Sequence, residues 1–508
     1  MKKILYFISL LVCVVCLSEA QNTFSLEVAT FISEDIKNQF KPNGRLFLFV
    51  SSSRFGEPRQ NTWPNSSNKI YALNLKNWDV REPFVFDGLA NLDKSVDVGL
   101  DALPEGNYRI QVLWDQNPAM AGIDEEGNLY SKAFTVELDK NTTLSLPLEK
   151  VTQPPVLNEN DFVKLVDIKS GAVSEFWGSE KRIKAAVVLP SGYYDNPEKR
   201  YPVRYNIAGY GGRYTRAGRF MREGGRAKEW WMSGEAPQVI NVYLDGDGPF
   251  GDCYQLDSEN SGPYGTALTE ELIPYIEKTY RAAGTPESRF LDGCSTGGWV
   301  SLALQIFYPD FFNGCFSYSA DQVDFENCQL MNIYEDENAF YNEYGYLRPI
   351  VRDVDGEPRV SQKNFILFEN VLGASGTYLN SGGQFSAFTA LFSPKGENGL
   401  PKPLFDPFTG AIDHEVAKHW EKYDLKRYVD NNWETLGPKL QGKIWIWMGD
   451  MDHFYLNPPM RAFSRMIKAQ KDPVSDAEIT FAPMQGHCAG YNEMEVLRMI
   501  AEKWEKIK

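Results

Sequence analysis

From residue 184 onward, short apolar runs alternate with helix-patterned segments, and that rhythm leaves few architectures open. Lys184–Leu189, Val203–Ile207, Val239–Leu244, Phe312–Tyr318, Ile444–Trp447 and Ile479–Phe481 read as strands. Between them, Leu268, Leu272, Ile273 and Ile276 share one helix face, with Pro274 expected to kink it. Trp299, Leu302, Ala303, Ile306 and Phe307 share another. Strands alternating with helices imply a mostly parallel sheet covered on both faces, an α/β architecture.

The earlier part of the chain follows a period of two. Tyr108, Ile110, Val112 and Trp114 alternate, as do Phe134, Val136 and Leu138, then Leu144, Leu146 and Leu148, while Arg45–Val50 is a short apolar strand. Alternation buries one strand face, so residues 21–150 are expected to form an all-β, Ig-like antiparallel sandwich. Residues 151–161, with Pro154-Pro155 and no periodicity, are the expected linker, and residues 162–508 the α/β domain. Two units suit a chain of 508 residues, too long for one ordinary core. Between about 328 and 440 the alternation stops in favour of aromatic, glycine and polar residues. That length is excessive for a plain loop, and it is expected to be a cap inserted over the sheet's functional edge.

Lys2 and Lys3 precede the apolar run ILYFISLLVCVVCL and then Ser18-Glu19-Ala20. A charged start, a short apolar core and small residues around a cleavage point describe a signal peptide, residues 1–20, and a secreted or periplasmic protein. The run is short for a membrane span, and none is expected in the mature chain. A formal net charge of −16 argues against a nucleic-acid partner. Nothing in the pattern sets an oligomeric state. Cys253, Cys294, Cys315, Cys328 and Cys488 remain after the signal, an odd number, so at least one thiol lacks an intramolecular partner.

Gly293-Cys294-Ser295-Thr296-Gly297 is a G-x-S-x-G pattern. In a chain with 41 glycines the pattern alone is weak. Its setting is stronger: the strand-like Ser288–Leu291 precedes it and the amphipathic Trp299–Phe307 follows. Strand, tight turn and helix hold a serine hydroxyl exposed above a sheet, and the glycines permit the turn. Ser295 is therefore the candidate nucleophile.

Its base is sought among four histidines. His414 and His419 stand five apart in the cap, unlike H-E-x-x-H, and are expected at the surface. His453 follows a strand end. His487 lies between the last strand and the last helix, where the chain order serine, acid, histidine puts the base. The acid is expected after Ile444–Trp447, with Asp452 preferred over Asp450, and His453 then neighbours the acid near the pocket wall. Two backbone N–H groups are needed for an oxyanion hole: Thr296, after the nucleophile, and Tyr210 in Asn206–Gly212, with Gly211 as its alternative.

Cys294 precedes the serine and Cys488 follows the histidine. If Ser295 and His487 meet, so do their neighbours, and either a disulfide clamps the two loops or two buried thiols lie side by side. This cys-ser, asp, his-cys arrangement resembles the tannase and fungal feruloyl esterase family, in which a bridge joins these loops. More broadly, LPSGYYDNPEKRYPVRYNIAGYGG, GPYGTALTEELIPYIEKTYR, GCSTGGWVSLALQIFYPDFF and GDMDHFYLN are similar to the esterase-D type esterases, across roughly residues 160–508. The resemblance implies an α/β-hydrolase fold, a triad of Ser295, Asp452 and His487, and oxyanion donors at Tyr210 and Thr296.

The expected activity is hydrolysis of a carboxylic ester through an acyl-enzyme, with no cofactor and no metal, on a carbohydrate or small-molecule ester carrying an acetyl, feruloyl or similar group. An acyltransferase, a serine peptidase and a non-catalytic carbohydrate-binding protein are the alternatives. Tyr341, Tyr344, Tyr346 and Phe385 could stack on substrate or fill the cap's own core. Arg213, Arg216 and Arg219 could meet an anion or form a solvated face.

Overall fold

The structure, a computed structural model, describes residues 22–507 except 66, 118 and 119. The expected signal segment, 1–20, lies outside the described residues.

The N-terminal part builds two main sheets, beside a two-residue ladder of Thr23–Phe24 with Leu103–Pro104. In the larger, Gly44–Ser51 pairs antiparallel with both Asn68–Leu75 and Gly106–Asp115. In the smaller, Leu26–Ile32 lies between Phe84–Phe86 and Thr142–Leu148. Leu46, Leu48, Val50, Ile110, Val112 and Trp114 from one sheet share a core with Leu26, Val28, Leu146 and Leu148 from the other. One pairing departs from the antiparallel expectation: Leu26–Ile32 and Thr142–Leu148 run parallel. They are the first and last long strands of this part, so no hairpin constrains their direction. Lys150–Val151 still pairs with Leu129–Tyr130, so the sheet runs to the edge of the expected linker.

Why Leu46 to Val50 is apolar without alternation becomes clear on the other face. There Phe47, Phe49, Ile70, Ala72 and Leu113 are also buried, against Phe368, Val371 and Leu372 from far along the chain. A strand buried on both faces needs no polar side.

The main sheet has eight strands: β1 (Val163–Ser170), β2 (Lys181–Val188), β3 (Val203–Ile207), β4 (Ile240–Leu244), β5 (Arg289–Cys294), β6 (Cys315–Tyr318), β7 (Ile444–Gly449) and β8 (Glu478–Ala482), in the order β1-β2-β4-β3-β5-β6-β7-β8. β2 runs antiparallel to its neighbours and β3 to β8 are parallel. With helices on both faces this is an α/β-hydrolase fold. β3, β4 and β6 are buried along their whole length, as central parallel strands must be.

Helix α1 (Thr296–Phe307) follows β5. Between β6 and β7 a long insertion carries α2 (Gln362–Leu372), α3 (Gln384–Phe392) and three further helices up to Leu440. α4 (Asn457–Ala469) follows β7, and α5 (Glu493–Glu505), capped by the Asn492 side chain on the Met494 amide, follows β8. Phe385, Phe388 and Phe392 join the same core as Trp299 and Leu302 of α1, so the insertion is packed, not appended.

Pro274 lies in the first turn of Ile273–Thr279, where the helical run passes out of the π-helical turn Ala267–Leu272. Among the described residues no helix is long and apolar enough to cross a membrane.

Candidate active site

Ser295 occupies the turn between β5 and α1, with φ 62° and ψ −127°. A non-glycine residue is costly in that region, and such strain persists only when its surroundings enforce it. They do: the Ser295 amide donates to Tyr318 O at 3.0 Å, and Ser295 O accepts from the Trp299 amide at 3.0 Å. The motif glycines are dictated by contact. A Cβ on Gly293 would lie 2.4 Å from Ile207 O, and one on Gly297 2.2 Å from the same atom. Absence of those two side chains lets the turn seat on the end of β3.

The loop after β3 is thereby brought to the serine. A Cβ on Gly209 would lie 3.6 Å from Ser295 Cβ. Of the two candidate amides in this loop, Gly211 N–H lies near the buried Asp252 carboxylate and favours its charged form. Tyr210 N–H donates to no protein acceptor among the described residues, and its hydroxyl bonds to Gly382 O in the insertion. Thr296 opens α1, where helix amides and dipole favour negative charge. Its hydroxyl donates to Asp321 Oδ2 at 3.0 Å and accepts from Gln384 Nε2 at 3.1 Å, tying the insertion to the nucleophile turn. Burial pushes the Asp321 carboxyl up to about 6.

His487 and Asp452 meet. Nδ1 of His487 lies 2.7 Å from Oδ2 of Asp452. Asp452 is fully buried, and its Oδ1 accepts from the Phe454 amide at 2.9 Å. Asp450 is instead paired with Arg461 at 2.6 Å and part-exposed. Burial disfavours the charged imidazole, but the Asp452 carboxylate, its hydrogen bond and Asp321 outweigh that and hold His487 above its ordinary value. His453 turns its ring against Gly486. His414 is exposed, and His419, part-buried, pairs with Glu259 at 3.2 Å.

Ser295 and His487 line one cavity of about 890 Å³ together with Tyr210 and Asp321. Among the described residues no hydrogen bond yet joins the serine hydroxyl to the imidazole, which is common before substrate tightens a site. Cys294 and Cys488 form a disulfide with Cα atoms 6.0 Å apart, linking the nucleophile turn to the histidine loop. Cys253, Cys315 and Cys328 are buried free thiols.

The substrate-facing expectations need revision. Phe385 lines the cavity, but Tyr344 and Tyr346 are 73% and 71% exposed, neither in its wall nor in a core. Arg213 and Arg216 are not a solvated face. Arg213 is held by Asp245 at 2.8 Å and Asp247 at 3.1 Å, and Arg216 by the carbonyls of Leu244 and Asn206, each at 2.7 Å. Arg219, also lining the cavity, is exposed. Sequence reasoning missed Trp63, Phe454 and Gln384, all in the cavity wall. Phe454 sits two residues past the acid and was within reach of the motif. Trp63 carries no local signal, because nothing near it in sequence belongs to the site.

A model of the Putative esterase family matches residues 178–492, well over half of the 508. No curated protein matches the sequence. Among solved structures, a ferulic acid esterase is 17% identical, covering 68% of this chain and 99% of that one with a TM-score of 0.40. An S-formylglutathione hydrolase from Agrobacterium tumefaciens is 14% identical, covering 68% and 93% with a TM-score of 0.36. A fluorophosphonate-binding serine hydrolase of Staphylococcus aureus is 13% identical, covering 67% and 98% with a TM-score of 0.38.

Proposed function

Because the chain belongs to the Putative esterase family, we propose that Ser295, His487 and Asp452 are the catalytic series of a serine carboxylic-ester hydrolase working through an acyl-enzyme. Membership makes the protein a serine carboxylic-ester hydrolase. The observation that carries it is the 2.7 Å contact between His487 Nδ1 and Asp452 Oδ2, in the cavity that Ser295 enters from a strained turn.

Ser295 Oγ attacks the acyl carbonyl carbon while His487 Nε2 takes its proton. Asp452 stabilises the imidazolium through Nδ1. The amides of Tyr210 and Thr296 receive the oxyanion. The C–O bond to the alcohol breaks, and the alcohol leaves with the proton from His487. Water, deprotonated by the same ring, attacks the acyl-enzyme, the ester C–O bond breaks as Ser295 takes that proton back, and the carboxylic acid departs and loses its own proton to solvent.

Residues 21–150 then serve as an Ig-like sandwich, 151–161 as a linker, and 162–508 as the catalytic domain. The insertion at about 328–440 acts as its cap. Export after cleavage at residue 20 fits the disulfide, which persists in oxidising compartments. The substrate is an acetyl, feruloyl or similar ester of a carbohydrate or small molecule.

A fluorophosphonate probe is expected to label the wild type and not Ser295→Ala. The same substitution is expected to cut p-nitrophenyl acetate turnover by about 10⁴–10⁶. Labelling that survives the substitution, or peptide p-nitroanilides cleaved in preference to esters, would overturn the assignment.

A further inference from the structure

The catalytic cavity does not end at the serine. A second cavity of about 620 Å³ adjoins it, and the two share Trp63, Tyr210, Gly211, Arg213, Phe365 and Gln384 in their walls. Common walls make them one cleft with a waist, and Trp63 stands at the waist. This indole comes from the N-terminal part, between Gly44–Ser51 and Asn68–Leu75, and is 40% exposed. It meets Phe365 edge to face at 5.1 Å and Phe454 at 5.7 Å, and Phe454 in turn meets the His487 ring at 4.8 Å.

Beyond the waist the wall stays largely apolar, and Gln60, Thr62, Asp124 and Glu125 add polar groups to it. Thr152, another wall residue, is 7% exposed, and its buried hydroxyl has no hydrogen-bond partner among the described residues. A buried hydroxyl left unpaired is costly unless something else supplies the bond.

We propose that this second chamber is a subsite for a polyhydroxylated chain, the sugar portion of the ester, with Trp63 as its stacking platform. The inference rests on the esterase reading and adds which part of the ester the protein recognises. His487 must hand its proton to the leaving alcohol, so the alcohol lies on the imidazole's side, and the rings of Phe454 and Trp63 lead from there to the waist. A sugar offers a C–H face to an indole and hydroxyls to amides and carboxylates. An aryl or aliphatic alcohol would desolvate those polar groups and pair with none of them. An anionic one would meet Glu125, whose carboxyl burial and the neighbouring Asp247 already push up to about 7.

The test is a chain-length series. kcat and KM are measured for the full protein, Trp63→Ala and Trp63→Phe on p-nitrophenyl acetate and on acetylated xylose, xylobiose and xylotetraose. For the wild type, kcat/KM is expected to rise about tenfold from the mono- to the tetrasaccharide, chiefly through KM. Trp63→Ala should abolish most of that rise, and Trp63→Phe, which keeps an aromatic face, should retain most of it. Calorimetry of unesterified xylotetraose with Ser295→Ala should give binding that adding Trp63→Ala weakens about tenfold. A flat series in the wild type, equal losses on p-nitrophenyl acetate and tetrasaccharide in Trp63→Ala, or no binding by Ser295→Ala would overturn the subsite. Failure of the wild type to turn over p-nitrophenyl acetate would instead sink the esterase reading, so the two failures are separable.

Discussion

His487 is pulled two ways. Burial works against its proton, while Asp452 at 2.7 Å and the farther Asp321 work for it, and the carboxylates prevail. Only the neutral ring can accept the Ser295 proton, so a raised value means that activity rises with pH through a midpoint above the ordinary histidine value of about 6.5. Asp452→Asn removes the dominant attraction and leaves the burial. The limb should then move to lower pH, while kcat falls by about 10⁴. Profiles of kcat/KM against pH for the two proteins check this; an unmoved limb would detach Asp452 from the base. Chain order and motif spacing pointed to these side chains, and each follows a strand end at the same edge of the sheet. Beneath them lies something spacing could not reveal. Arg204 and Asp292, both wholly buried, form a two-pronged pair at 2.7 Å on each prong, joined by Tyr491 and Asn206 directly under the nucleophile turn. Arg204 lies within the strand-like run Val203–Ile207, and it faces a carboxylate contributed from the neighbouring strand. Arg204→Met would strand Asp292 as a buried lone charge, and a loss of about 3–5 kcal/mol of stability is expected, measured by denaturant unfolding.

Two loops carry the reacting groups, and one covalent link spans them. The turn after β5 holds Ser295, the loop after β8 holds His487, and Cys294–Cys488 closes a loop of 194 residues between them. Cross-linking so long a loop restricts the unfolded chain, and removing a native bridge typically costs about 2–5 kcal/mol. The bridge also fixes the relative position of nucleophile and base, so Cys294→Ser with Cys488→Ser should lower both the unfolding temperature and kcat. Calorimetry and turnover with and without reductant provide the measurement; unchanged kcat in the reduced protein would confine the bridge to stability. β4 and β6 were legible because burial on both faces leaves their runs free of charged residues, and β8 because Ile479 and Phe481 alternate. β1 was missed because it is an edge strand of mixed exposure, with an incomplete pattern. α3 was missed for the opposite reason: Phe385 to Phe392 are all buried, so no polar face marks a helical period.

The N-terminal sheets and the catalytic part are fastened by more than a tether. Phe47, Phe49, Ile70 and Leu113 on one side and Phe368, Val371 and Leu372 of α2 on the other form one buried cluster. At its edge Arg45, 1% exposed, donates to Val371 O at 2.9 and 3.1 Å while pairing with Asp93 at 2.7 Å. The apolar run from Leu46 to Val50 announced that both faces of that strand are covered, but its cover lies more than 300 residues away, beyond any local pattern. Units joined only by a linker would unfold separately. Units sharing a core should unfold together, because opening either exposes the other's apolar face. A single calorimetric transition is therefore expected for the intact protein. Phe368→Ala, which opens a cavity in the shared cluster, should cost about 3–5 kcal/mol and draw the two parts toward separate transitions. The distinguishing probe is Trp63: it belongs to the N-terminal part yet lies against Phe365 and Phe454. If the parts are coupled, its fluorescence, taken as the difference between the wild type and Trp63→Phe in a chain of 12 tryptophans, must change at the same temperature at which esterase activity is lost. Activity that outlives the Trp63 signal would mean that the catalytic part stands without its N-terminal neighbour.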